Sequence, residues 1–261
     1  MKLTVLTENV AGGQLLAEHG LSYLIECDGR SVLFDTGHSD VFLKNAKKLG
    51  IDIRAKIKTI VLSHGHWDHG DGLRYLQGQT LITHPSSFLK RYRKNDPSRN
   101  IGLTLSRPEV ENKFDLIVSE IPCAIDRNMI FLGEIPRLND FEAQATPFVD
   151  ENGWPDFVPD DSAIAILQDD GLIVVTGCSH AGICNIVEYA KKVSGRRVVK
   201  AVVGGFHLKR NNRQTEKTIQ YVRDHGMEAI FPSHCTELPA LAAFQNAFEI
   251  NQVKTGMILN F

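Results

Sequence analysis

At 261 residues with 43% hydrophobic side chains, the chain is long enough to bury a full core, as one large domain or as two fused halves. A formal net charge of -2 argues against a dominant nucleic-acid or membrane surface, and no stretch approaches the ~18 consecutive apolar residues of a spanning helix. The five cysteines (Cys27, Cys123, Cys178, Cys184, Cys235) form no C-x-x-C pair and are odd in number, which fits reduced thiols in the cytoplasm better than a disulfide framework. Met1-Lys2-Leu3-Thr4-Val5 carries no long apolar run, so no signal peptide is expected. In chain order, a strand is predicted over residues 3–7, followed by a Gly12-Gly13 loop. Residues 21–27 alternate into Asp28-Gly29, a two-residue hairpin signal, and Ser31 to Phe34 return as the partner strand, ending at Asp35-Thr36-Gly37-His38. Residues 40–49 read as an amphipathic helix with Val41, Phe42, Ala46 and Leu49 on its apolar side.

Ile60-Val61-Leu62 reads as a buried strand that runs straight into His64-Gly65-His66-Trp67-Asp68-His69. Three imidazoles and one carboxylate within six positions are metal-site chemistry. Extended backbone points residues i and i+2 the same way, so His64 and His66 can share a cation, and a turn at Trp67 re-aims Asp68 and His69 toward a neighbouring position. Neutral imidazole and carboxylate suit zinc, manganese or iron.

Beyond this run, Gly72 to Leu76 begin a helix and Thr80 to Thr83 form a strand ending at His84, which is either structural or a substrate contact. Residues 90–99 are basic and poorly periodic: a solvated loop, or part of an insertion (about 90–159) that closes over the site and meets an anionic substrate. Residues 101–159 read as Pro-interrupted short strands and loops. Ser162 to Leu167 and Leu172 to Thr176 then form a hairpin, and helices are predicted over 183–193, 215–225 and 238–248. Strands are predicted over 198–203, 229–231 and 254–259. Three successive strands therefore lead into His180, His207 and His234, and this strand, ligand, helix order aims side chains at one sheet edge. With no linker or low-complexity tract, residues 1–261 are expected to form a single domain of two pseudo-equivalent halves.

The His-x-His-x-Asp-His run resembles the signature of the metallo-β-lactamase superfamily, and the likeness extends along nearly the whole chain. It implies an α/β fold, a four-layer αββα sandwich with two sheets face to face, and one or two divalent metal ions at the sheet edge. Zinc is the leading choice, with manganese, iron or magnesium as alternatives. His64, His66 and His180 would hold the first ion, and Asp68, His69 and His234 the second. A bridging water would then lose its proton near neutral pH and act as nucleophile, oriented by Asp68. Asp35 stands where the superfamily commonly has an Asp that supports the ligands from behind; capping the next helix is the alternative, and the two are compatible. Cys178 stands near where many members carry a bridging Asp, and is either a thiolate ligand or a buried, inert thiol beside His180. His207 is open between ligand, catalytic acid or base, and structural roles.

Phe34-Asp35-Thr36-Gly37, Thr176-Gly177-Cys178-Ser179-His180-Ala181-Gly182, Gly204-Gly205-Phe206-His207-Leu208 and Ser233-His234-Cys235-Thr236 resemble the branch containing the archaeal dihydropterin-methyl-ribofuranosylaminobenzene-phosphate synthase of methanopterin assembly. That likeness implies transfer of a dihydropterin methyl group from its diphosphate to an arylamine, with release of diphosphate. A phosphorylated small-molecule substrate also suits Lys209, Arg210 and Arg213, which follow His207 ahead of a helix and form either a phosphate cradle or an ordinary charged loop. A metal-dependent hydrolase (phosphodiesterase, lactonase or thioesterase) is the alternative, and a non-catalytic ligand sensor the third reading. No nucleic-acid or membrane partner is expected, and a homo-oligomer is compatible with the sequence.

Overall fold

In the computed structural model, which describes residues 1–261, the Asp28-Gly29 hairpin joins Ser22–Cys27 to Arg30–Phe34 as predicted. Both turn residues have positive φ (49° and 75°), the geometry that matches strand twist and selects Asp-Gly. The chain divides into two compact units, residues 1–119 with 148–154 and 253–261, and residues 120–147 with 155–252.

Unit 1 is built on a seven-stranded sheet in the order Ile258–Asn260, Lys2–Thr7, Ser22–Cys27, Arg30–Phe34, Thr59–Val61, Thr80–Thr83, Asp115–Val118. Pairing is antiparallel as far as Arg30–Phe34 and parallel beyond it, so the parallel strands present their C-terminal ends on one edge. Helix Val41–Lys48 buries Phe42 and Ala46, which join Leu6, Leu24 and Leu33 in the core of this unit. Its buried Asn45 donates to the carbonyls of Leu6 and Leu16 and accepts from Leu16 N, pinning the loop that follows the first strand.

Unit 2 carries a six-stranded sheet in the order Ala229–Ser233, Val199–Gly205, Gly171–Thr176, Ala163–Gln168, Met129–Phe131, Cys123–Ala124. Its last three pairings are antiparallel and its first two parallel, again with C-terminal strand ends together. Helices Ile183–Ser194, Arg213–Asp224 and Leu238–Phe248 follow the three parallel strands, and Ile186, Val202, Phe206, Ile219 and Phe244 meet in its core.

Three local expectations need correction. Residues 90–99 are not an irregular loop: Arg91–Arg93 and Asp96–Asn100 form a ribbon with Phe148–Asp150, a partner more than fifty residues away that local periodicity does not reveal. Pro97 is tolerated because Asp96–Asn100 is an edge strand. Helix Arg107–Lys113 lies in the stretch expected to be short strands and loops, although Ser106 and Glu109 form a capping box that announces it. The final strand is shorter than 254–259, because Gly256 (φ 86°) turns the backbone before Ile258–Asn260.

Candidate metal centre

In unit 1 the predicted strand end delivers its imidazoles into a buried hydrogen-bonded network. The fully buried Asp35 accepts from Ser63 N at Oδ1 (2.7 Å), and at Oδ2 from Ser63 Oγ (2.8 Å) and His69 Nδ1 (2.6 Å). Ser63 Oγ spends its one proton on Asp35, so at 2.9 Å it accepts from His64 Nδ1. Both tautomers follow: His64 and His69 carry the proton on Nδ1 and keep Nε2 as the lone-pair atom a metal requires. His64 Nε2 faces His66 Nδ1 at 2.9 Å, so two ring nitrogens converge. The Asp35 carboxylate is thus spent on Ser63 and His69.

Burial sets the charge states. It drives His64 well below the usual imidazole range, with the neighbouring His69 and His66 adding to the effect, so the ring is neutral as a ligand must be. It also pushes the Asp35 carboxyl up, against the opposing pull of His69 and Ser63. Gly65 is dictated by space, because a Cβ there would sit 1.8 Å from Ser87 O. His64 and His69 each offer an atom to a group able to hold a metal ion. His66 and Asp68 stand outside those groups, and Asp68 turns Oδ2 to His19 Nε2 at 3.1 Å. His84 is buried, and its Nδ1 accepts from Ser86 N at the start of the turn Pro85–Phe88, a structural engagement of that nitrogen.

In unit 2 the candidate ligands sit on three strand ends. Ser179, His207 and His234 all adopt left-handed backbone (φ 58°, 51° and 49°), as Asp35 does in unit 1 (56°). Half of the eight non-glycine residues with positive φ thus follow sheet strands and carry or adjoin predicted site residues. Such backbone costs roughly 1–3 kcal/mol each and persists where surroundings enforce it, as at functional sites. Ser179 Oγ donates to Gly205 O (2.6 Å), tying neighbouring strand ends together, and Cys235 Sγ donates to Cys178 O (3.4 Å) across the strand between them. The rings of His180 and His207 lie 4.3 Å apart. Cys178, His180 and His234 each offer an atom to a metal-holding group, and Cys178 is buried.

Two buried carboxylates escaped the sequence reading. Asp161 accepts Ala181 N at 2.8 Å and the His180 backbone, and burial raises its pKa to about 6. Glu142 accepts Cys184 N and Asn185 N, both at 3.0 Å, at the start of Ile183–Ser194, where the helix dipole favours a negative charge. The His180 loop is thus held from both sides, by groups far away in sequence that no short motif marks. The predicted cradle is partly occupied: Lys209 pairs with Glu237 (3.1 Å), and Asn212 caps the helix by accepting Thr215 N (3.2 Å). Arg210 and Arg213 are exposed.

The family model described as the metallo-beta-lactamase superfamily matches residues 16–191, two thirds of the chain. The chain belongs to the metallo-beta-lactamase superfamily. A Methanocaldococcus jannaschii protein named 7,8-dihydropterin-6-methyl-4-(beta-D-ribofuranosyl)-aminobenzene-5'-phosphate synthase is 32% identical over 286 aligned positions, covering 100% of this chain and 97% of that one. An uncharacterized protein of the same organism is 35% identical over 247 residues, covering 92% of each. A crystal structure described as a metal-dependent hydrolase of the beta-lactamase superfamily superposes with a TM-score of 0.88 at 34% identity, covering 100% of this chain and 99% of that one. The metallo-β-lactamase fold expected from the His-x-His-x-Asp-His run is therefore present, and family and relatives support a metal-dependent enzyme. No helix is long and apolar enough to cross a membrane.

Proposed function

We propose that the chain is a metal-dependent enzyme acting on a phosphorylated small molecule, with His64, His66 and His180 holding one divalent ion, zinc foremost, and Asp68, His69 and His234 a second. In its sharpest form it joins a dihydropterin methyl diphosphate to an arylamine and releases diphosphate. The observation that carries this reading is the wiring of Asp35 through Ser63 to His64 and directly to His69, which fixes both rings with Nε2 as the lone-pair atom. The donor set of neutral imidazoles and a carboxylate fits zinc. A bound divalent ion would supply positive charge to the oxygens of the leaving diphosphate. The chain's own groups do the rest. Asp35 and Ser63 hold the rings, Asp161 and Glu142 hold the loop that carries His180, and His207, whose ring lies beside His180, would give or take a proton.

The synthase relative, similar over the whole chain, supports transfer, and the 34% identical hydrolase structure supports water as the acceptor instead. One assay separates them. Diphosphate release that requires both the pterin diphosphate and the arylamine, and stops on chelation, is the expected result. Chelator-sensitive turnover of phosphodiesters, lactones or thioesters, with no dependence on an arylamine, would instead make the chain a hydrolase.

A further inference from the structure

Trp67 is the one side chain of the run His64 to Gly70 that is not buried, and its indole gathers three basic groups from separate parts of unit 1. His38 meets it edge-on at 4.6 Å, His19 lies tilted at 5.4 Å, and the Arg99 guanidinium stands 5.7 Å from the ring centroid. The two imidazoles are about half exposed, at 45% and 55%. Arg99 belongs to the exposed strand Asp96–Asn100, and the chain just after it joins the metal run, since Trp67 N donates to Ile101 O (3.2 Å) and His66 bridges to Gly102.

The carboxylates around this cluster are already engaged. Glu18 accepts from His38 N, Ser39 N and Ser39 Oγ, Asp71 Oδ1 accepts from Thr104 N and Oγ1, and Asp68 faces His19. The Arg99 guanidinium enters no hydrogen bond or ion pair and stands over the indole. A cation–π contact engages none of the guanidinium N–H groups as hydrogen-bond donors to oxygen, and that planar fork matches two oxygens of a phosphate.

We infer that Arg99, held on Trp67 and flanked by His38 and His19, is the subsite for the phosphate or diphosphate group of the substrate. This rests on the reading above that the substrate is phosphorylated. The His64–His69 run and the subsite share Trp67, and His19 meets both the indole and Asp68.

The test is calorimetric titration of the metal-loaded full chain with inorganic diphosphate, repeated for Arg99→Ala and Arg99→Lys. Losing a charge-assisted bidentate contact predicts affinity weaker by about tenfold in Arg99→Ala, with partial recovery in Arg99→Lys and unchanged metal content. The KM of a phosphorylated substrate rises by a similar factor while kcat holds. Diphosphate affinity equal to wild type in Arg99→Ala overturns the subsite, as does a loss that appears only together with loss of metal. If diphosphate binding depends on Arg99 while only unphosphorylated esters are turned over, the subsite stands and the proposed substrate class falls.

Discussion

In unit 1 the candidate ligands His64, His66, Asp68 and His69 leave a single strand end together, whereas in unit 2 Cys178, His180, His207 and His234 come from three strand ends spread over residues 178–234. The means of holding them differ accordingly. Unit 1 holds the His64 and His69 rings by side-chain hydrogen bonds that lead to Asp35, through Ser63 for His64 and directly for His69, while unit 2 places His207 and His234 by left-handed backbone at the strand ends and braces the His180 loop with Asp161 and Glu142. A network with one hub fails all at once when the hub is removed. Independently strained positions lose their side chains one by one, and each can even gain backbone stability.

The largest effect should come from the hub. Asp35→Ala leaves Ser63 N, Ser63 Oγ and His69 Nδ1 buried without their acceptor, a loss of about 3–5 kcal/mol by analogy with breaking buried charged pairs. Chemical denaturation checks this, and a cost no greater than that of His234→Ala would erase the contrast between the units. Next is pH. Asp161 is fully buried with its folded pKa raised from 3.8 to about 6, so the folded state binds its proton more tightly than the unfolded chain does. The stabilisation from that proton is complete below about pH 4 and is lost as pH rises through about 6, roughly 3 kcal/mol in all. In Asp161→Asn this part of the pH dependence disappears, so the stability difference between variant and wild type should change between pH 4 and 7. A constant difference would rule the titration out.

Smaller is Gly65→Ala, where a Cβ 1.8 Å from Ser87 O forces the metal run to shift. Overpacking of this kind costs about 2 kcal/mol, read as a lowered denaturation midpoint, and wild-type stability in the variant would show that the run can move freely. Smallest is a paired comparison at His234 (φ 49°), where glycine accepts the left-handed backbone and alanine does not. His234→Gly should be about 1 kcal/mol more stable than His234→Ala, both having lost the imidazole; equal stability would mean that the backbone there carries no strain.

The units also differ in how much of them could be read from sequence. The His64–His69 run was legible because strand, turn and four ligand-type residues are contiguous, so the pattern is local. The three histidine-bearing strand ends of unit 2 were legible through repetition of strand and helix, and all three helices formed where periodicity put them. What stayed hidden is held by distant pairing. The ribbon Arg91–Arg93 meets Phe148–Asp150 across more than fifty residues, Glu142 reaches Asn185, and His19 lies in an irregular loop yet touches Asp68. None of these leaves a periodic trace, since each pair is created by the fold rather than by neighbouring residues. The surroundings of Lys209 stay hidden for a related reason. The cations near Lys209 are visible in sequence, but Glu237, which pairs with Lys209, lies on the next strand-to-helix connection.

The most direct test of the shared ligand set is metal per chain, measured by elemental analysis on purified wild type, His66→Ala and His180→Ala. Wild type should carry one or two divalent ions per chain, and each substitution should remove at least one of them. Undiminished metal in either variant would contradict the assignment of His64, His66 and His180 to a common ion.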